Sequence, residues 1–324
     1  MTPGPPRVSI AIPVYNGAKT IRASIDSALA QTYDGLELVI VDNASTDDTV
    51  EIVNSYDDPR IRLHQNPSNI GFHRNHSRSF ELSRCEFIKP LHADDRLMPH
   101  CVERMLELFD ANEKVALVFA PRSIELEDES DEGLRSWREE YGRLHRNFTG
   151  LQRVNDGRFL LQQYLRAADS ANWVGEPSSI MVRRSSIERI GLFSPHVEAL
   201  NDLDMSMRMM ALYDVGFVDE ELTVFLRRRG SLVDSLSPNQ WLDRLWLLEG
   251  ISMDPAMRSR APEVAPALAQ ERRNVARQLV RTARRRPAEL PLRLRQMGRY
   301  LRFAARSAAG RAPRLHPPLE PVGS

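Results

Sequence analysis

Val8-Ser-Ile-Ala-Ile-Pro-Val-Tyr15 is a short apolar, β-branched run, and Leu36-Glu-Leu-Val-Ile-Val41 is a second one, ending at Asp42-Asn43. Between them, Gly17 to Gln31 has helical spacing, with Ile21, Ile25, Ala28 and Leu29 on one side. The alternation continues on both flanks. Ser45-Thr-Asp-Asp48 supplies caps and early acids for a helix through about Tyr56, and Ile61 to Gln65 reads as a third strand. Arg74 to Leu82 reads as a helix and Phe87 to Leu91 as a strand. Met98-Pro99 opens a helix to about Ala111, before a fifth strand at Val115 to Ala120. Strand and helix in strict turn predict an α/β fold, a mostly parallel sheet flanked by helices. Such sheets bind ligands beyond the carboxyl ends of their strands, which directs attention to Tyr15-Asn16, Asp42-Asn43 and His92 to Asp95.

The pattern weakens beyond residue 120. Glu125 to Gly133 is acidic and reads as an exposed loop. Phe159 to Ala167 and Asp202 to Tyr213 have helical spacing; Ser178 to Arg183, Phe217-Val218 and Leu222 to Leu226 are strand-like. With 324 residues the chain is one large domain or two modest ones, long enough to bury a core without staples. Two cysteines, Cys85 and Cys101, build neither a disulfide framework nor a four-cysteine zinc site. The first residues lack the apolar core of a signal peptide, and no apolar run approaches the ~20 residues of a membrane span. These features argue against a secreted disulfide protein and a polytopic membrane protein.

Lysine plus arginine equals aspartate plus glutamate at 44 each, yet the signs are segregated. From Ile251 to Ser324 there are 16 arginines, no lysine and 5 acids. A basic segment of this kind implies an anionic partner for an otherwise acidic body. Within it, Arg295, Arg299, Arg302 and Arg306 recur on one helical stripe, with Leu294, Met297, Leu301, Ala304 and Ala305 on the other side. A basic amphipathic helix suits an anionic membrane surface. The competing reading is a helix packed on the rest of the protein with solvated arginines. No nucleic-acid reading motif accompanies the arginines. Ala309 to Ser324, rich in Pro and Gly, is expected to be disordered.

The sequence lacks GxxxxGK[ST], GxGxxG and GxSxG, so P-loop, dinucleotide and nucleophile-elbow sites are not indicated. His73 and His76 lie three apart without a nearby acidic or cysteine cluster, which argues against zinc. Leu91-His-Ala-Asp-Asp95 carries more chemistry. Adjacent carboxylates past a buried strand are hard oxygen ligands suited to Mg²⁺ or Mn²⁺ with a substrate phosphate. A turn and helix cap before Met98-Pro99 would also favour aspartates.

Ile12-Pro-Val-Tyr-Asn16, Val41-Asp-Asn-Ala-Ser-Thr-Asp-Asp48, Asn69-Ile-Gly71 with Arg74-Asn75, and Leu91-His-Ala-Asp-Asp95 occur in this order and spacing. Together they resemble the family 2 glycosyltransferases of the GT-A fold, over roughly Pro6 to Ser231. The resemblance implies a catalytic domain over residues 1–231. A nucleotide-sugar half spans about 6–120, an acceptor half spans about 121–231, and a helical extension covers 232–324. It places Pro13, Tyr15 and Asn16 at the nucleotide, Asp42 on the base imide of a uridine or thymidine, and Asn69 and Arg74 on the nucleotide or diphosphate side. Asp94, with Asp95 adjacent, would hold Mn²⁺ or Mg²⁺ against the donor diphosphate. Gly175-Glu-Pro-Ser-Ser179, Gly191-Leu-Phe193 and Asn201-Asp-Leu-Asp204 match the family's acceptor pattern. Asp202 falls at the general base of an inverting transfer, Glu176 at sugar hydroxyls, and Asp204 is expected to support the helix start or face solvent. Arg227-Arg-Arg229 resembles a closing basic segment, with Arg229 toward phosphate.

Two departures stand out. His92 replaces the first acid of the usual Asp-x-Asp, which removes a charge and introduces a group that titrates near neutrality. It remains able to bind ribose, phosphate or Mn²⁺. Asn43 and Asn201 also replace common acids. The implied activity is metal-dependent sugar transfer from a UDP- or dTDP-sugar to a glycan or glycolipid hydroxyl. Its expected setting is surface polysaccharide or cell-envelope glycan synthesis, in the cytoplasm or at the inner face of the plasma membrane. Rival readings are a nucleotidyltransferase, whose glycine-rich phosphate loop is missing, and an inactive nucleotide-sugar or glycan-binding module, which the His92 departure favours.

Overall fold

A computed structural model describes residues 5–167, 171–231, 241–308 and 314–319. Strands β1 (Val8–Val14) and β2 (Leu36–Asp42) are buried along their whole lengths, as strands covered on both faces must be. Helices α1 (Ile21–Leu29), α2 (Thr49–Asn54) and α3 (Phe72–Leu82) alternate with them and with β3 (Ile61–Gln65) and β4 (Phe87–Pro90). The short β5 (Arg96–Leu97), α4 (Cys101–Ala111), β6 (Val115–Phe119), β7 (Arg122–Leu126) and α5 (Glu132–Tyr141) follow. The segment expected as an acidic loop, 125–133, is an exposed loop over 127–131 and structured at its two ends. Its start completes β7, which pairs with a later strand, and its end opens α5, where Asp131 caps the helix by accepting from the Leu134 N–H.

The second half contributes β8 (Val154–Asp156), α6 (Gly157–Ala167), β9 (Ile180–Arg183), α7 (Arg184–Ile190) and α8 (Asn201–Leu212). Strands β10 (Asp214–Phe217) and β11 (Thr223–Arg227) complete the sheets. The main sheet has eight strands in the order β3-β2-β1-β4-β9-β6-β10-β8. Neighbours are parallel from β3 through β4 and between β6 and β10; β9 runs antiparallel between β4 and β6, and β8 antiparallel to β10. A smaller sheet has the order β5-β11-β7. The chain steps outward from β1 to β3 and returns to β4 on the other side of β1. That reversal leaves a crevice at the carboxyl ends of β1 and β4.

Helices α9 (Asp243–Met253), α10 (Pro255–Arg260), α11 (Val264–Arg285) and α12 (Leu290–Ala308) follow, with α11 and α12 joined through a 3-10 turn at Pro287–Glu289. They share the core of the second half. Leu245, Trp246, Leu248 and Ile251 of α9 join Leu203 and Met210 of α8, and Tyr300 and Phe303 of α12 close over them. The tail differs from the expected disorder at residues 314–319. Leu315 and Leu319 are buried, Pro317 accepts from the Leu192 N–H at 2.7 Å, and His316 reaches Asp204. Two glycines make room for this strap. A Cβ on Gly191, which has φ +83°, would sit 2.8 Å from the His316 Cβ, and one on Gly250 would sit 2.9 Å from its Cε1. The rest of the expected disordered end, 309–313 and 320–324, lies outside the described residues.

Candidate functional site

The loops after β1 and β2 are sewn together. Asn16, at φ +51°, accepts from the Thr46 N–H at 2.8 Å and donates its own N–H to Ser45. Gly17 N–H donates to Thr49 and Ala18 N–H to Asp47. Asp42 at the end of β2 is 1% exposed and accepts from the Ser45 N–H at 3.1 Å. Beside it the Asn43 amide donates to Asn69 Oδ1 at 3.0 Å and accepts from Asn66 and the Ile70 N–H. Asn75 of α3 donates to the Val41 carbonyl at 3.0 Å and accepts from Asn66. Four amides, of which Asn43 and Asn75 both donate and accept, Asn66 donates and Asn69 accepts, hold the loop before α3 onto the strand ends.

After β4, His92, Asp94 and Asp95 bring ligand atoms within 4.8 Å of one another. Asp95 is buried and uses both oxygens inside the protein. One accepts from the Ser178 hydroxyl at 2.5 Å and the other from the Leu226 N–H at 3.2 Å. Burial, then the adjacent Asp94 charge, pushes its carboxyl up to about 8. Asp94 faces the crevice, and Arg228 donates to it at 3.1 Å. The His92 ring has no hydrogen-bond partner at Nε2 among the described residues, and burial lowers its pKa. Below them Lys89, fully buried, donates to the carbonyls of Pro90 and Ser178. Two crowded carboxyls with a nearby imidazole and an elevated proton affinity form a donor set that a divalent cation relieves.

From the second half, Asp202 enters on the first turn of α8. Its oxygens accept from the Asn172 amide at 2.9 Å and the Leu203 N–H at 2.8 Å. Burial nevertheless raises it to about 6. Asn201 donates to the His73 ring at 2.7 Å, and its Oδ1 has no partner among the described residues. His76 is buried against Phe193, ring centroids 4.4 Å apart, and its Nε2 is also without a partner. Glu176 is clamped by the Arg122 guanidinium, with contacts of 2.5 and 2.6 Å.

These groups surround one cleft of about 370 Å³. Pro13, Tyr15, Asn16, Asn69, His92, Asp94, Glu176 and Asp202 line it. Asp42, Arg74, Asp95 and Arg229 do not. Asp42 and Asp95 lie buried behind it, Arg74 is exposed on α3, and Arg229 ion-pairs with Asp131. The arginine that does reach the cleft is Arg228, one residue earlier. Phe72, His73, His76, Phe193 and Asn201 line it as well. The i, i+3 spacing of the two histidines on a helix following Asn69-Ile-Gly71 was the available signal for that pair. Asp204 does not face solvent. It is 1% exposed and ion-paired with Arg208 at 2.8 Å, because its helix face points into the core.

The sequence profile of glycosyl transferase family 2 matches residues 9–190. Uncharacterized protein MT1568 of Mycobacterium tuberculosis (strain CDC 1551 / Oshkosh) is 32% identical over 311 residues, 86% of this chain and 95% of its own. A chondroitin synthase of Pasteurella multocida (strain Pm70) is 37% identical over 116 residues, 35% of this chain but only 12% of that protein. The structure of S. aureus TarS 1-349 in complex with UDP-GlcNAc superposes with a TM-score of 0.66 at 14% identity, covering 91% of this chain and 80% of that one. The last likeness is one of fold.

Proposed function

The chain belongs to glycosyl transferase family 2 and has the GT-A fold, and from that premise we propose that it transfers a sugar from a UDP- or dTDP-sugar to a hydroxyl of a glycan or glycolipid, with inversion. The observation that carries this reading is the meeting of two acidic centres in one cleft. Asp94, with its neighbours His92 and Asp95, comes from the end of β4, and Asp202 comes from the start of α8. In this reading Asp202 is the general base. Desolvation strengthens it as a base while leaving it mostly ionised at neutral pH, so it takes the acceptor proton as the oxygen attacks the anomeric carbon. Asn172 and the Leu203 N–H fix the direction of its lone pairs.

Asp94, with His92 beside it and Asp95 behind, would hold Mn²⁺ or Mg²⁺; bound there, the ion supplies charge neutralisation for the departing diphosphate. Arg228, already on Asp94, is the side chain we assign to the same phosphates in place of Arg229. Tyr15, Pro13 and Asn16 cover the nucleoside, Asn69 stands on its diphosphate side, and Asp42 accepts from a base imide once the Ser45 loop yields its N–H contact. We assign Arg74, exposed on α3, to the same side. Glu176, held by Arg122, takes sugar hydroxyls. Relatives named chondroitin synthase and hyaluronan synthase support a polysaccharide product, and we assign its assembly to the cell envelope, at the inner face of the plasma membrane.

The test is a thermal-shift series with UDP, dTDP, GDP, CDP and ADP, each with and without Mn²⁺. We expect a Mn²⁺-dependent rise with UDP or dTDP that Asp94→Asn abolishes and Asp202→Asn retains. No shift with any nucleotide in a folded sample would overturn the assignment of the donor.

A further inference from the structure

We propose that the hairpin of α11 and α12 is a docking surface for an anionic phospholipid bilayer. The hairpin is anchored from within. Tyr300 and Phe303 pack on Trp246 with ring centroids 5.2 and 5.1 Å apart, and the Tyr300 hydroxyl donates to Glu249 at 2.9 Å. The inner face of α12 is thus occupied, with Met297 and Ala304 against the same core. The sequence pattern puts Met297 and Ala304 with Leu294 and Leu301, but packing separates them. Leu294 and Leu301, two turns apart, stand 52% and 57% exposed.

The outward face of α12 is therefore a second apolar stripe, formed by Leu294 and Leu301, one the fold does not cover. Val280, Leu292, Leu294 and Leu301 make up four of the eight exposed large hydrophobic side chains among the described residues. Two of the other four, Tyr15 and Phe72, belong to the cleft. Beside this stripe run Arg295, Arg299, Arg302 and Arg306, exposed and without a hydrogen bond or ion pair among the described residues. Arg281, Arg284 and Arg285 extend the charge along the end of α11 that adjoins the turn. Helix α12 contains no acid, and Glu289 at the turn is already engaged by Arg286 and Arg293.

Interleaved leucine and unpaired arginine fit one kind of partner. Phosphodiester headgroups satisfy guanidinium groups while the acyl boundary takes the leucines, so both halves of the face gain on the same surface. A nucleic-acid backbone would use only the arginines and leave the leucines in water. A second copy of the same face would set like charges against each other. No helix among the described residues is long and apolar enough to cross a membrane, so the hairpin would lie on the bilayer. Docking is independent of the transfer reaction and stands or falls separately from it.

The experiment is co-sedimentation of the full chain with vesicles of phosphatidylcholine alone and of phosphatidylcholine with phosphatidylglycerol, at low and high salt. We expect binding to the mixed vesicles only, weakened by salt, and lowered about fivefold for each of Arg295, Arg299, Arg302 and Arg306 changed to Gln. Leu294→Ser with Leu301→Ser should weaken binding to mixed vesicles while its residual binding keeps the salt dependence. These exposed changes should leave the melting temperature and the nucleotide shift unmoved, which separates lost docking from lost folding. Equal binding to both vesicles, unchanged binding by the arginine variants, or preference for RNA over mixed vesicles would each overturn the proposal.

Discussion

Asn43 stands where the family resemblance leads one to expect an acid, and its surroundings account for the amide. Its Nδ2 donates to Asn69 Oδ1, an atom that also accepts from the Gly71 N–H. A carboxylate at 43 would set oxygen against oxygen, and turning the Asn69 amide over would forfeit the Gly71 contact. Asn43→Asp should therefore cost about 1–3 kcal/mol, the penalty of one buried pair undone; urea denaturation equal to wild type would contradict this. Asp202 presents the opposite case, a side chain that strains the fold in favour of chemistry. Its folded carboxyl binds a proton more tightly than the unfolded value of 3.8, so stability from this residue falls as pH rises from about 4 through about 6. Asp202→Asn should raise the melting temperature at pH 7 while lowering turnover by roughly 10²–10⁴. In the unchanged enzyme, the acid limb of kcat/KM should sit near pH 6. A flat profile between pH 5 and about 8 would remove Asp202 as the base.

At the scale of elements, α8 carries two acids two residues apart with opposite fates. Asp202 is desolvated and bears no ionic partner among the described residues, whereas Asp204 is matched by Arg208 and His316. Burial alone would raise Asp204, but those two groups hold it down to about 2. Arg208 in turn donates to the carbonyls of Ile190, Gly191 and Leu192, so one side chain ties α8 to the end of α7. Asp204→Ala leaves a buried guanidinium uncompensated and should cost about 3–5 kcal/mol. Because its proton affinity is depressed, this contribution holds above about pH 4 and fades as pH falls toward 2. Sequence reading could not tell the two acids apart, since both sit in a first helical turn where carboxylates are favoured. Most of the alternating elements from 8 to 120 were legible because they span more than one period of their pattern. Strands β5 and β8, at 2 and 3 residues, are too short to show a period. The arginines at 227–229 illustrate the same limit. Residue 227 turns in over Trp137, 228 reaches Asp94 and 229 pairs with Asp131, a choice made by strand parity and loop shape.

Across the whole molecule, the second-half core includes residues from Ala11 to Leu319. The helical extension foreseen beyond residue 231 is woven into that core through α9. Its Pro-rich end resembles disorder in composition because the evidence for order there is two leucines and a histidine. A chain ended at residue 308 would expose Leu192, strip Asp204 of His316 and forgo the burial of Leu315 and Leu319. At about 1.5–3 kcal/mol per leucine, the loss should be roughly 3–6 kcal/mol. Calorimetry showing the shortened chain melting with the full one would refute it. The cleft itself was legible as three strand-end polar sets, but its apolar and imidazole lining was not. Phe193, 117 residues beyond His76, meets it only through the fold.

The strap of residues 314–319 also bears on how the protein is made. A ribosome delivers the chain from its first residue, so β1 to β4 and their loops can assemble while the rest is still being synthesised. Helix α8, which carries Asp202, cannot close its buried charge cluster until residues 314–319 leave the exit tunnel and His316 swings under Gly191 and Gly250. Nascent chains stalled before that point would hold an assembled first half beside an unfinished second one. Residues 314–319 thus complete the neighbourhood of a residue translated more than a hundred positions earlier.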